Sequence, residues 1–136
     1  MINEIKIDNI SWAGGNISSY VLEKDNNPIF APTMFLLNLA KEGYSLVTLK
    51  GYSSRLKIFF ELILQNEMAN AGLINWQSMT DNAMSGYLQN HLVSSRKLVE
   101  SSVDSHISTL NSFYSFAWEY GFLIEKPVFS FSYQPD

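Results

Sequence analysis

Two sets of polar side chains in this sequence have the spacing needed to hold an anionic ligand. Lys50, Ser54, Lys57 and Glu61 recur at three- and four-residue steps, which on a helix places them on one flank. Thr48 and Arg55 fall on the opposite side of an apolar stripe, and Thr48 belongs to the first turn. There, free backbone N–H groups and the helix dipole favour an anion such as phosphate. The second set is Ser101, Ser102, Ser105, His106, Ser108, Thr109, Asn111 and Ser112, spread around the outward faces of a later helix. Small hydroxyl and amide side chains are poor helix formers but good donors to phosphate oxygens and base edges. Arg96 and Lys97 precede that helix in a loop and add charge. The competing reading is a plain solvated surface, because eight acids outnumber the seven Lys and Arg between Lys41 and Lys126.

Bond-breaking chemistry has no comparable signature. His91 and His106 fall on different predicted helices without a carboxylate partner one turn away, and each reads as a solvated or half-buried structural histidine. No His-x-x-x-His pair, phosphate loop or GxSxG elbow is present, and Gly14-Gly15 reads as a hairpin turn. Catalytic residues, metal ligands and small-molecule cofactors are therefore all expected to be none. With no cysteine there is neither a disulfide framework nor a thiolate metal site, which fits a reducing compartment. No stretch reaches the roughly 18 apolar residues of a membrane span, and Met1 to Ile10 is not a signal peptide. A soluble, cytoplasmic protein is expected. The net charge of −4 has the wrong sign for a self-sufficient nucleic-acid binder and predicts weak affinity for any such partner.

The elements that must position these residues are mostly helical. Ile5 and Ile7, then Ile17, Ser19 and Val21, alternate with their neighbours around Ala13-Gly14-Gly15-Asn16, which predicts a β-hairpin. Asp25-Asn26-Asn27-Pro28 closes that segment. A first helix is expected from about Pro32 to Glu42, stopped by Gly43. Ser45 is the N-cap of a second, with Leu49, Tyr52, Leu56, Phe59, Phe60 and Ile63 as its apolar stripe, reaching about Glu67. Asn70 to Asn75 reads as a loop. Thr80 caps a third helix carrying Met84, Tyr87, Leu88 and His91, and Ser94 to Val99 reads as a loop. A fourth opens at Ser101 or Ser102, buries Val103, Ile107, Leu110, Tyr114, Ala117 and Trp118, and ends at Gly121. Phe59, Phe60, Phe113 and Trp118 read as core fillers. Phe129, Phe131 and Tyr133 alternate in an extended tail. The expected class is mainly α, a compact four-helix bundle with an N-terminal β-hairpin.

The order of these features resembles a known family. Ser45, Thr48, Tyr52, Leu56 and Phe59 match the S-x-x-T-x-x-x-Y-x-x-x-L-x-x-F helix of tyrosine recombinases and phage integrases. Trp76 followed by Thr80 resembles the W-x-x-(I/V)-T lead into their next helix. Ser101-Ser102-Val103, Leu110 to Tyr114, and Gly121 to Val128 resemble the ending S-T-I … L-x-x-F-Y … G-x-I-x-x-N-P. The likeness spans roughly Pro32 to Val128 and is carried by the order and spacing of the parts together.

This resemblance implies a core-binding, SAM-like domain, one jaw of a clamp that closes on the recombination-site duplex. It implies that the second and fourth helices face DNA, making Thr48, Lys50, Ser54, Ser101, Ser102, Ser105 and His106 contact candidates. Lys57, Arg96 and Lys97 join them on charge. The implied partners are double-stranded DNA and other recombinase protomers. The implied domains are a hairpin extension at 1–28, the core-binding domain at 29–128, and at 129–136 the start of a linker to a catalytic domain. The family's catalytic set (Arg, a basic residue, His-x-x-Arg and a tyrosine nucleophile) has no counterpart here, and Tyr133 lacks the Arg/His cradle of that nucleophile. The chain is thus expected to be a non-catalytic part of a DNA strand-exchange enzyme. The sequence departs from the family where Ser105 and Asn111 replace frequent Arg or Lys, and where Lys126 replaces Asn. The alternative function is a helical protein-interaction module serving recombinase assembly or another partner; a small enzyme with an unseen cleft is a more remote one.

Overall fold

The computed structural model describes residues 1–69 and 75–134, and the side chains of 66–69 are not among what it describes. Two compact units divide the chain, Met1–Gln65 and Asn66–Asp136. Four helical segments and a small N-terminal antiparallel sheet make up the described residues, so the expected mainly α class with its hairpin is what the chain adopts.

The first unit opens with β1 (Asn3–Trp12), β2 (Gly15–Lys24) and a two-residue β3 (Asn27–Pro28), in the order β1-β2-β3. Trp12 pairs with Gly15, so Ala13 and Gly14 alone form the turn, at φ +48° and +81°. Positive φ at both central residues is the hairpin geometry whose twist matches the flanking strands. Asp25 and Asn26, at φ +53° and +65°, repeat the device between β2 and β3. That second turn is why the polar run ending at Pro28 reads as a segment end.

One extra residue in β1, between Ile7 and Ile10, forms a bulge where Asn9 takes φ +59°. The bulge keeps Ile5, Ile7 and Ile10 on one face, opposite Val21, Ser19 and Ile17. Alternation alone suggests that this face is the buried one. Burial divides between the faces: Ser19 is buried on this one and Leu22 on the other, Ile2 is buried just before β1, and Ile7 stays 38% exposed. Glu4 and Lys6, opposite Leu22 and Tyr20, share the other face.

Helix α1 (Phe30–Lys41) follows without a side-chain cap; Ile29 N–H bonds the Leu22 carbonyl at 2.7 Å, and Thr33 Oγ1 bonds both Leu22 N–H and C=O. Gly43 at φ +94° ends it, with Gly43 N–H on the Ala40 carbonyl and Tyr44 N–H on that of Leu39. These two bonds satisfy carbonyls the helix would otherwise leave open. Helix α2 (Leu46–Ala69) begins at the expected N-cap, since Ser45 Oγ accepts from Thr48 N–H at 3.2 Å. Leu49, Leu56, Phe59, Phe60 and Ile63 are buried as expected, each worth roughly 1.5–3 kcal/mol. Ser53 is buried within the same stripe. The predicted loop lies outside the described residues, Asn75 excepted.

In the second unit Asn75 caps a short 3-10 turn, Trp76–Ser78, by accepting from Gln77 and Ser78 N–H. Thr80 caps α3 (Asp81–Gly86), its Oγ1 accepting from Ala83 N–H at 3.1 Å. The helix then widens into a π-helical stretch, Tyr87–Ser95, longer than the sequence suggests and closed by the Arg96 N–H bond to the His91 carbonyl. Lys97 ends it at φ +59°. Helix α4 (Glu100–Glu119) starts one turn-position earlier than predicted, with Val99 at the N-cap and no side-chain cap, so neither Ser101 nor Ser102 caps it. Its buried face holds Val103, His106, Leu110, Phe113, Tyr114 and Ala117. Trp118 lies about 90° around the helix from the middle of that set and is 45% exposed, and Ile107 is only half-buried, so both depart from the expected core. Gly121, at φ +84°, ends α4 with the same pair of bonds seen at Gly43. The tail alternates as predicted, with Phe129, Phe131 and Tyr133 half-buried.

Candidate nucleic-acid interface

The predicted contact residues divide between the two units. Thr48, Lys50, Ser54 and Lys57 lie on α2; Arg96, Lys97, Ser101, Ser102, Ser105 and His106 lie at and around the start of α4.

On α2 the polar flank is already engaged. The Glu4 carboxylate of β1 accepts from Lys50 Nζ at 3.0 Å, Ser53 Oγ at 2.8 Å and Ser54 Oγ at 3.2 Å, all on Oε2. Ser54 Oγ also lies 3.3 Å from Oε1. The three donors sit at i, i+3 and i+4, the spacing that stacks side chains on one helix face. Glu4 is only 12% exposed, whereas half of the Lys50 side chain meets solvent and its ammonium lies 5.3 Å from the Tyr20 ring centroid. Further along the flank, Ile2 N–H bonds Glu61 Oε1 at 3.3 Å. Thr48 is exposed, but its N–H is spent on the cap, and its Oγ1 accepts from Ser45 Oγ at 2.9 Å. The N–H expected to face an anion at Thr48 is therefore closed. Lys57 is half-buried. Arg55 stacks against Tyr52 at 5.4 Å beside Gly51, and partial burial lowers its guanidinium pKa.

At α4 the picture is more open. Arg96, Lys97, Ser101 and Ser105 are exposed and Ser102 is half-buried. Ser105 Oγ donates to the Ser101 carbonyl at 3.1 Å, the back-bonding habit of hydroxyls inside helices, and Thr109 Oγ1 does the same to Ser105 at 2.9 Å. His106 is not on an outward face: it is 6% exposed, because it follows Val103 by three residues and precedes Leu110 by four. As a direct contact in this conformation it is withdrawn by that burial. His91 is half-buried and stacks on Tyr87 with centroids 5.6 Å apart. Burial, and secondarily the Arg96 charge, holds its pKa below the ordinary 6.5.

Sequence reasoning missed Glu4 and Ser53. Ser53 had a legible signal, a small polar residue three after Lys50 inside an apolar stripe; Glu4 had none, since only the fold brings it to α2. Among the described residues no three His, Asp or Glu side chains gather as a metal-binding set. No described helix is long and apolar enough to cross a membrane.

Four helical segments that follow a β-hairpin in the chain, capped and spaced as above, define a mainly α SAM-like domain. Residues 33–121, about two thirds of the chain, match the family described as phage integrase, N-terminal SAM-like domain, and the chain belongs to that family. No curated protein and no solved structure gave a significant match.

Proposed function

We propose that this chain is the DNA-gripping, core-binding part of a site-specific tyrosine recombinase, contributing binding while strand cleavage is carried out by a separate domain. The reading covers the family-type segment at 29–128, with residues 1–28 as an extension and 129–136 as the start of a linker, and it places the protein in the cytoplasm. Double-stranded DNA is the partner, with other recombinase protomers in the assembled complex. Arg96, Lys97, Ser101, Ser102 and Ser105 supply phosphate contacts around the start of α4, and Thr48, Lys50, Ser54 and Lys57 supply them from α2.

The observation that carries this reading is Lys97. Among the described helix ends, two fall on glycine in the left-handed conformation, Gly43 and Gly121, whereas the end of the π-helical stretch falls on Lys97 at φ +59°. A side chain in that region costs about 1 kcal/mol or more that glycine avoids. Retaining an exposed cation there, next to exposed Arg96, suits a surface kept for anions even with Glu100 in the first turn of α4. Lys97→Gly is expected to raise stability by roughly 0.5–1 kcal/mol while weakening duplex binding and lowering its salt dependence. Fluorescence anisotropy at low salt, paired with urea unfolding, reads both. Stability gained with duplex affinity unchanged, in this variant and in Arg96→Ala, would refute the assignment. With a net charge of −4 the wild-type affinity is expected to be micromolar or weaker and steeply reduced by salt.

A protein-interaction module is the second reading. Trp118, Tyr120, Ile124 and Val128 are exposed near the end of α4, beside a cavity of about 630 Å³ lined by Met79, Tyr114, Phe122 and Pro127 among others. Self-association on size-exclusion chromatography without duplex binding favours it.

A further inference from the structure

We propose that Lys50, Ser53 and Ser54 form a seat for one anionic oxygen, that Glu4 fills this seat in the free protein, and that a backbone phosphate of bound DNA displaces it. The inference rests on the DNA-binding reading and deepens it. It turns the hairpin from a passive extension into a self-masking strap.

The geometry is that of an oxyanion site. Three donors from one helix face converge on a single carboxylate oxygen at 2.8–3.2 Å, and Ser53 is fully buried, so its hydroxyl has no bulk water as an alternative. A carboxylate and a phosphate diester each carry one negative charge shared by two oxygens. Exchanging one for the other therefore preserves the hydrogen bonds and the charge balance of the seat. The strap is pinned twice, at Glu4 and through Ile2 N–H on Glu61, so the carboxylate can swing out while the strand stays docked. Lys50, half in solvent, provides the side from which a phosphate approaches. The hairpin segment adds four acids, Glu4, Asp8, Glu23 and Asp25, against Lys6 and Lys24, and so accounts for −2 of the chain's −4. Part of the charge that opposes DNA binding thus sits on the strap, and one of its carboxylates occupies the donors a phosphate needs.

Glu4→Gln keeps the shape of the strap and removes its charge. The full chain carrying it is expected to bind duplex roughly five- to tenfold more tightly, with a log–log salt slope steeper by about one unit. Inorganic phosphate, followed by NMR, is expected to shift the Ser53 and Ser54 signals of this variant at concentrations that leave wild type unmoved. In wild type, saturation with duplex is expected to move the Glu4 side-chain carboxyl resonance to that of a solvated glutamate, a readout that needs no variant to fold. Equal duplex affinity and slope with no phosphate effect would overturn the seat while leaving the DNA-binding reading intact, as would a Glu4 carboxyl that stays in place on saturated protein. If neither protein binds duplex yet phosphate shifts only the variant, the seat stands and the DNA-binding reading fails.

Discussion

Removing the Tyr114 hydroxyl tests the packing of the second unit through a penalty that fades as pH rises. Tyr114 is 2% exposed, its ring lies against Phe113, Trp76 and Phe129, and its Oη donates to the Trp76 backbone carbonyl at 2.6 Å. Tyr114→Phe leaves every ring contact in place and deletes only that bond. The net worth of such a bond is about 1 kcal/mol, rising toward 2 when the abandoned carbonyl finds no water. At pH 7.5 the variant should therefore lose about 1–2 kcal/mol, with an unchanged dependence on urea concentration. Burial holds the Tyr114 phenol far above its ordinary pKa of 10.0, so the folded chain keeps the proton that the unfolded chain releases. A folded-state pKa above the unfolded one gives stability that is whole below pH 10 and declines as pH rises further. One unit above pH 10 the wild type should have lost about 1.4 kcal/mol through this group, and the phenylalanine variant none of it. The two proteins are then expected to converge by pH 11. Urea unfolding at both pH values measures the convergence, and a stability difference independent of pH would refute the argument.

The remaining expectations are simpler. Ala13→Asn places Asn-Gly in the β1–β2 turn, where Ala13 now holds φ +48°, and should add roughly 0.5–1 kcal/mol, visible as a higher melting temperature. For His91 the folded-state pKa lies below the unfolded 6.5, so stability should be whole above pH 6.5 and fall as pH drops through it; His91→Gln should flatten a melting-temperature profile taken from pH 7.5 to 5.

The parts of the fold legible in the sequence are those where one residue type has a local physical monopoly. Glycine alone adopts the left-handed region without cost, so Gly43 and Gly121 announce two helix ends, and the side chains of Ser45 and Thr80 announce two starts. The same logic fails where the structure breaks its own preference. Lys97 ends a helix in a conformation that favours glycine, and Val99 begins one without a capping oxygen, so both boundaries of the segment between them differ from the expected ones, each by one or two residues. The bulge at Asn9 and the π-helical stretch are likewise changes of register that no fixed period of two or 3.6 can register.

For the candidate site the divide falls between residues that share an element and residues that meet across the fold. The helical period placed Lys50, Ser54, Lys57 and Glu61 on one flank, and the structure finds three of them, Lys57 apart, bonded to the first residues of the chain, two to Glu4 in β1 and one to Ile2 just before it. What period cannot supply is the partner, since Glu4 lies 46 to 50 positions away and arrives through strand register and helix packing. A polar flank on a helix has two equivalent interpretations in sequence, a surface offered to a ligand or a surface already satisfied by the chain's own opposite charge. Here the second is seen in the free protein. The first requires that the two be exchangeable, which is the displacement proposed above: a carboxylate and a phosphate diester would each present one anionic oxygen to the same three donors.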